Sequence, residues 1–105
     1  MTTIKQEDFI QSIADAFQYI SYYHPLDYIQ ALGAAYEREQ SAAAKDAIAQ
    51  ILTNSRLCAE GRRPICQDTG IAVIFLKVGM DVHWQAEMSV QEMCDEGVRR
   101  AYSHP

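Results

Sequence analysis

The sequence predicts an α+β fold that is mainly helical, with three N-terminal helices, a β-hairpin and a C-terminal helix. Apolar residues in the first part of the chain recur every three or four positions, as on one face of a helix. Past residue 70 the pattern changes to a continuous apolar run and then to strict alternation, which indicates two strands. Two strands make a poor sheet alone. We therefore expect the 105 residues to be a truncated part of a larger domain.

Three N-terminal helices are predicted, over about residues 4–22, 25–39 and 42–60. Thr3 and Gln6 have the spacing of a capping box, which predicts the start of the first helix. Pro25 suits the first turn of the second helix, because its missing N–H would have no partner there. Ser41 is suited to the N-cap of the third helix.

The second half of the chain is predicted to hold two strands and a helix, over about residues 71–78, 82–88 and 90–102. Ile71–Val78 is apolar and β-rich, which is typical of a strand buried on both faces. A short turn separates it from the alternating segment, so the two strands are predicted to form a hairpin. Ser89 and Glu92 form a second capping box, before the last helix.

Composition and charge exclude several classes of partner. The formal net charge of −5 and the absence of a Lys/Arg stripe oppose nucleic-acid binding. Arg62-Arg63 and Arg99-Arg100 are isolated pairs, either solvated or placed for a small anion. The N-terminus lacks the apolar region of a signal peptide, and no apolar run reaches transmembrane length. We therefore expect a cytoplasmic protein without a membrane partner.

The isolated cysteines and histidines outside the central stretch are predicted to have no part in a site. The chain has three cysteines without a CxxC spacing, which favours reduced thiols over disulfides. Cys58 and Cys94 are predicted to be small buried hydrophobes. His24 is predicted to be a loop or cap residue, and His83, on the polar phase of its strand, an exposed one.

The central stretch from Pro64 to Gly70 combines a thiol, an amide, a carboxylate, a hydroxyl and a glycine. The simplest interpretation is a connecting loop in which Asp68 and Thr69 turn the chain. Asp68-Thr69-Gly70 before an apolar strand also has the look of an aspartic protease half-site, but the predicted helices disagree with that all-β class. A loop that holds a soft metal ligand beside substrate-binding groups would use all of these residues.

The five residues from Cys66 to Gly70 resemble the iron–sulfur motif of the class I fumarate hydratases, the family that also includes the tartrate dehydratase α subunits. The resemblance covers most of the chain from about Phe9 onward and corresponds to the N-terminal segment of the family. It extends to flanking residues on both sides of the motif, namely Asn54-Ser55, Ala59-Glu60-Gly61, Pro64, Lys77, Gly79, Gly97-Val98 and Ala101-Tyr102.

This resemblance implies a 4Fe–4S cluster held by three cysteine thiolates, with an open iron that acts as a Lewis acid. The implied reaction is the reversible hydration of fumarate to (S)-malate. Cys66 would be one cluster ligand, and Gln67 and Asp68 would bind the small dicarboxylate substrate. Asp68 is the implied catalytic residue. Thr69 and Gly70 would shape the loop.

The other two cluster cysteines and the base of the family have no counterpart in residues 1–105. We therefore expect this chain to be a single segment of the N-terminal catalytic domain, inactive and without a cluster by itself. Its expected partner is the remainder of the parent polypeptide, and the full-length enzyme is expected to be a homodimer. A tartrate dehydratase α-type segment and a small, non-catalytic helical interaction module remain as alternatives.

Overall fold

The computed structural model describes residues 1–65 and 71–103. This part of the chain confirms the mainly helical α+β class, and none of its helices is both long and apolar enough to cross a membrane. Contacts divide the chain into two compact units: unit 1 is Met1–Gln18 with Asp68–Pro105, and unit 2 is Tyr19–Gln67. The elements in chain order are β1 (Thr2–Lys5), α1 (Gln6–Tyr22), α2 (Leu26–Arg38), α3 (Ala42–Gly61), β2 (Val82–Gln85) and α4 (Val90–Ser103).

The sheet of unit 1 pairs β1 with β2 in parallel, with Ile4 opposite Trp84. The Trp84 ring meets the Phe9 ring edge to face at 5.1 Å. The predicted capping box of the first helix is wrong, because the strand β1 occupies residues 2–5 and α1 begins at Gln6. The side-chain oxygen of Gln6 instead accepts the N–H groups of Glu87 and Met88, at 2.9 and 3.1 Å.

The predicted β-hairpin is wrong. Residues 71–78 form no strand, and the second predicted strand ends at Gln85 rather than at residue 88. Alternation did identify β2, whose side chains are half-buried and exposed in turn. Alternation does not identify a pairing partner, however, and β2 pairs with β1 from the other end of the chain.

Helices α1 and α4 supply most of the core of unit 1. Ala14, Phe17 and Ala101 form a buried cluster, against which Ile13, Ile74 and Val98 pack. The prediction for the last helix is confirmed to within a residue, and so is its capping box. Glu92 N–H donates to Ser89 Oγ, and Ser89 N–H donates to Glu92 Oε1, both at 3.1 Å.

Unit 2 contains the helices α2 and α3, whose predicted bounds are confirmed to within two residues. Ser41 caps α3, since its side chain accepts the N–H of Ala44. None of the α2 residues is fully buried, whereas α3 buries Ser55 and Cys58. The left-handed conformation that ends α3 belongs to Arg62, at φ 51° and ψ 49°, rather than to a glycine.

Candidate functional site

The predicted site residues Cys66, Gln67 and Asp68, together with Thr69 and Gly70, lie outside the described residues. Their roles therefore stay predictions. The chain on the N-terminal side of this motif is described as far as Ile65. Its contacts in unit 2 show how the segment that leads into the motif is held.

Residues 62–65 are held, within unit 2, against α3 and the last turn of α1. The N–H of Ile65 donates to the carbonyl oxygen of Ser21, in the last turn of α1, at 2.8 Å. The carbonyl oxygen of Cys58 accepts the N–H groups of both Arg62 and Arg63. The Arg62 guanidinium lies over the Tyr22 ring, 5.5 Å from its centroid, in the range of a cation–π contact. Because Ile65 is also buried, the segment has a defined position up to the first residue of the motif.

The two described cysteines are buried free thiols, as predicted. Cys58 Sγ lies 3.6 Å from the carbonyl oxygen of Pro64 and 3.7 Å from Asn54 Oδ1, so the thiol has two acceptors within reach. Cys94 belongs to α4, in the other unit, and burial together with the neighbouring Asp95 raises the pKa of its thiol. A raised pKa disfavours the thiolate form that metals bind.

Within residues 1–65 and 71–103, no three His, Cys, Asp or Glu side chains lie close enough to hold a metal ion. The described donor set therefore does not fit an iron–sulfur cluster, which requires several thiolates at one place. Cys66 remains the one predicted cluster ligand of this chain.

His24 lies in the loop before α2, as predicted, but its side-chain contacts were not predicted. Its Nδ1 lies 2.8 Å from Ser55 Oγ, and its ring packs on the Tyr28 ring at 4.9 Å. The imidazole borders an open cavity of about 470 Å³ between α2 and α3, whose wall also includes Gln50 and Asn54. The Ser55 hydroxyl is buried and finds its partner in His24. Ser55 is 31 positions away in sequence, so no local pattern could have indicated the pair.

The paired arginines of α4 are ion-paired with carboxylates of unit 1. Both Arg99 and Arg100 contact Glu96, and Arg100 also contacts Glu7 of α1. Hydrogen bonds from Arg99, and then from Arg100, lower the pKa of Glu96 to about 2. The Arg99 side chain is 61% exposed, which agrees with the solvated interpretation of this pair, although both charges are also engaged by carboxylates of the unit.

The comparisons with known proteins indicate the same family as the sequence motif of residues 66–70. The family model described as "Fumarate hydratase (Fumerase)" matches residues 10–105. The "Putative L(+)-tartrate dehydratase subunit alpha" of Methanocaldococcus jannaschii is 34% identical over 89 residues, which cover 85% of this chain. No solved structure matches significantly. The chain belongs to the class I fumarate hydratase family.

The match covers 31% of the length of the Methanocaldococcus protein. This chain therefore spans about a third of the curated relative that it matches.

Proposed function

We propose that this chain is the N-terminal part of an iron–sulfur hydro-lyase that interconverts fumarate and (S)-malate. The observation that carries the proposal is the run Cys66-Gln67-Asp68-Thr69-Gly70, located inside a family match that spans residues 10–105. A thiol, an amide and a carboxylate in succession offer one soft metal ligand and two hydrogen-bonding groups for a hydroxy-diacid.

Each of the three polar residues has a separate role in this proposal. Cys66 supplies one thiolate of a 4Fe–4S cluster, which when bound acts as a Lewis acid toward the substrate hydroxyl and carboxylate. Gln67 donates to a substrate carboxylate through its amide N–H. Asp68 accepts the hydrogen bond of the substrate hydroxyl and orients it, which makes Asp68 the catalytic residue. The contacts that hold Ile65 support these roles, since a substrate-binding loop needs a defined point of entry.

The chain by itself is proposed to be inactive and free of the cluster. Cys58 and Cys94 are buried in different units, and Cys58 Sγ is occupied with the Pro64 carbonyl and Asn54. Neither is a second or third ligand beside Cys66. The missing thiolates and cations are proposed to come from the remainder of the parent polypeptide, whose full-length form is proposed to be a homodimer.

L-Tartrate is the second candidate substrate, and the name of the Methanocaldococcus protein favours it. Tartrate has one hydroxyl more than malate. A site built to hydrogen-bond that hydroxyl leaves buried polar groups unpaired when malate binds, and so discriminates strongly against it. The two substrates can therefore be separated by their relative kcat/KM.

The test uses the full-length product of the parent gene, purified without oxygen and supplied with iron and sulfide. Bound iron and sulfide are measured together with the visible absorbance of the cluster, and turnover is measured on fumarate, (S)-malate and L-tartrate. We expect Cys66→Ser to lower the cluster content, and Asp68→Asn to keep the cluster while kcat falls by about 10²-fold or more. Cys94→Ser is the matched control, expected to keep both cluster and turnover.

Three results would contradict the proposal. Full cluster content in Cys66→Ser would remove Cys66 from the ligand set. Unchanged turnover in Asp68→Asn would remove its catalytic role. A stoichiometric cluster on the 105-residue chain alone would show that Cys58 and Cys94 do act as ligands, and that the chain is not a partial site.

A further inference from the structure

The run Ile71–Val78 exposes an unusual amount of apolar surface for a segment that is not at a chain end. Among its eight residues, only Lys77 is charged. Phe75 is 92% exposed, a fraction rarely seen for a phenylalanine in a completed fold. Four further large side chains of the run are at least 45% exposed: Ile71, Val73, Leu76 and Val78.

The exposed residues of the run occupy odd and even positions alike, and only Ile74 is half-buried. Ile74 packs against the buried cluster of Ala14, Phe17 and Ala101, so the run contacts the core of unit 1 at this residue. The odd-numbered positions Ile71, Val73 and Phe75 are all exposed. Successive side chains of an extended chain point to opposite faces. The sequence of the run is therefore apolar at odd and even positions alike, and Ile74 is the position at which it packs against the described core.

A groove with both apolar and polar lining residues lies between this run and α4. Its larger part has a volume of about 510 Å³ and is bordered by Ile74, Val90 and Cys94. A second part of about 200 Å³ adjoins it, and the two share Ala72 and Val98. Both parts of the groove are open to solvent, so an added segment could enter it.

The backbone of the run has no partner strand in the described part of the chain. The sheet there consists of β1 and β2, and each of them pairs with the other. A β-rich segment that is not part of the sheet can pair with an added strand through its backbone N–H and C=O groups, and this is the feature that β-strand addition uses.

We propose, resting on the proposed function in which this chain is part of a longer polypeptide, that Ile71–Val78 is the docking edge for an apolar β-strand supplied by the remaining part of that polypeptide. About two thirds of the length of the Methanocaldococcus relative lies outside the match, which is ample chain for further strands. A second copy of this chain fits less well, because pairing about a twofold axis gives each run one neighbouring strand. A strand that is apolar on both faces requires a neighbour at each edge and a layer over its outer face.

Hydrogen exchange measured by mass spectrometry on the 105-residue chain and on the full-length parent tests the proposal. In the short chain, we expect the amides of residues 71–78 to exchange at the earliest time point. In the parent, we expect their exchange to be slower by about 10²-fold or more, because ladder hydrogen bonds must open first. The helix α4 serves as the internal control, protected in both proteins.

Unprotected amides over 71–78 in the folded parent would overturn the proposal. Protection that is already present in the short chain, with a dimeric mass in light scattering, would assign the surface to a second copy and would also overturn it. A parent gene that stops at Pro105 would have the same consequence.

A pair of variants tests the same surface by stability. Phe75→Asp is expected to lower the folding equilibrium constant of the parent by about 10²-fold, because a buried carboxylate replaces a packed ring. In the short chain it is expected to change that constant less than about threefold, since Phe75 is exposed there. Met80→Asp, at a fully exposed neighbour outside the run, is the control and is expected to be neutral in both. Equal effects of Phe75→Asp in the two proteins would refute the docking edge.

Discussion

Gly97 marks the closest approach of α4 to α1, and its replacement by alanine makes a quantitative test of that packing. An added Cβ would lie 2.6 Å from both Cβ and Cγ2 of Ile13, and 3.0 Å from the carbonyl oxygen of Ile10. Carbon atoms in contact prefer about 3.5–4.0 Å, so the overlap is about 1 Å. A new rotamer of Ile13 cannot relieve it, because Cβ does not move with χ1. The two helices would have to separate.

Two opposing terms set the expected free energy of unfolding of Gly97→Ala. Alanine in place of glycine stabilises a helix interior by about 1 kcal/mol. Overpacking of a close contact destabilises by about 1–3 kcal/mol, and the backbone oxygen of Ile10 puts this site at the upper end. The expected net change is a loss of about 2 kcal/mol. With a typical urea slope, the unfolding midpoint should fall by about 1 M.

Urea unfolding followed by tryptophan fluorescence measures this change, because Trp84 is the single tryptophan and belongs to unit 1. Gly33→Ala is the matched control in α2, since its added Cβ meets nothing within 4 Å. We expect the free energy of unfolding of that control, followed by the helix signal in circular dichroism, to rise by about 0.5–1 kcal/mol. If Gly97→Ala is as stable as the unmodified chain while Gly33→Ala gains stability, the close packing of Gly97 on Ile13 is refuted.

Three further predictions concern α4 and its surroundings. The pKa of Glu96 is lowered from 4.5 to about 2, so its ion pairs stabilise unit 1 above about pH 4.5, and this stability is lost as the pH falls toward 2. Glu96→Gln should therefore flatten the pH dependence of the unfolding midpoint between pH 5 and 2, and an unchanged profile would contradict the pairing with Arg99. Ser89→Ala should reduce the free energy of unfolding by about 1 kcal/mol through loss of the N-cap, whereas Ser103→Ala at the other end of the helix should not. Cys94 should react with iodoacetamide more slowly at pH 8 in the folded chain than in urea, since burial raises the pKa of its thiol, and equal rates would contradict that burial.

The parts of the fold that local sequence patterns control could be predicted. Ser41 and Ser89 mark the starts of their helices, because a cap is a contact between residues three positions apart. The same rule failed for Thr3 and Gln6. There, the N-terminal residues pair with β2, which lies about 80 residues further on. The hydrogen bonds of this long-range pairing outweigh the weak local preference for a helix cap.

The approach to the candidate site depends on contacts that leave no signature in the sequence. The N–H of Ile65 is bound by a backbone carbonyl, and Cys58 Sγ faces another. Every residue has a backbone carbonyl, so these contacts could not be predicted from the residue types of Ser21 and Pro64. The pair of His24 and Ser55 was missed for a related reason, since each side chain taken alone is common in loops and helices. The motif residues themselves could be recognised because their chemistry is unusual in combination.

The error over Ile71–Val78 has a physical cause that supports the proposed docking edge. Hydrophobicity and β-branching are local properties, and they predicted a strand buried on both faces, whereas residues 71–78 form no strand and are mostly exposed. Pairing is a property of the whole sheet, and a strand forms only where a neighbour offers its own N–H and C=O groups. A segment intended for solvent would carry polar residues on its outer face, as β2 does with His83 and Gln85. Ile71, Val73 and Phe75 are apolar and exposed instead, which supports the proposed docking of a partner strand.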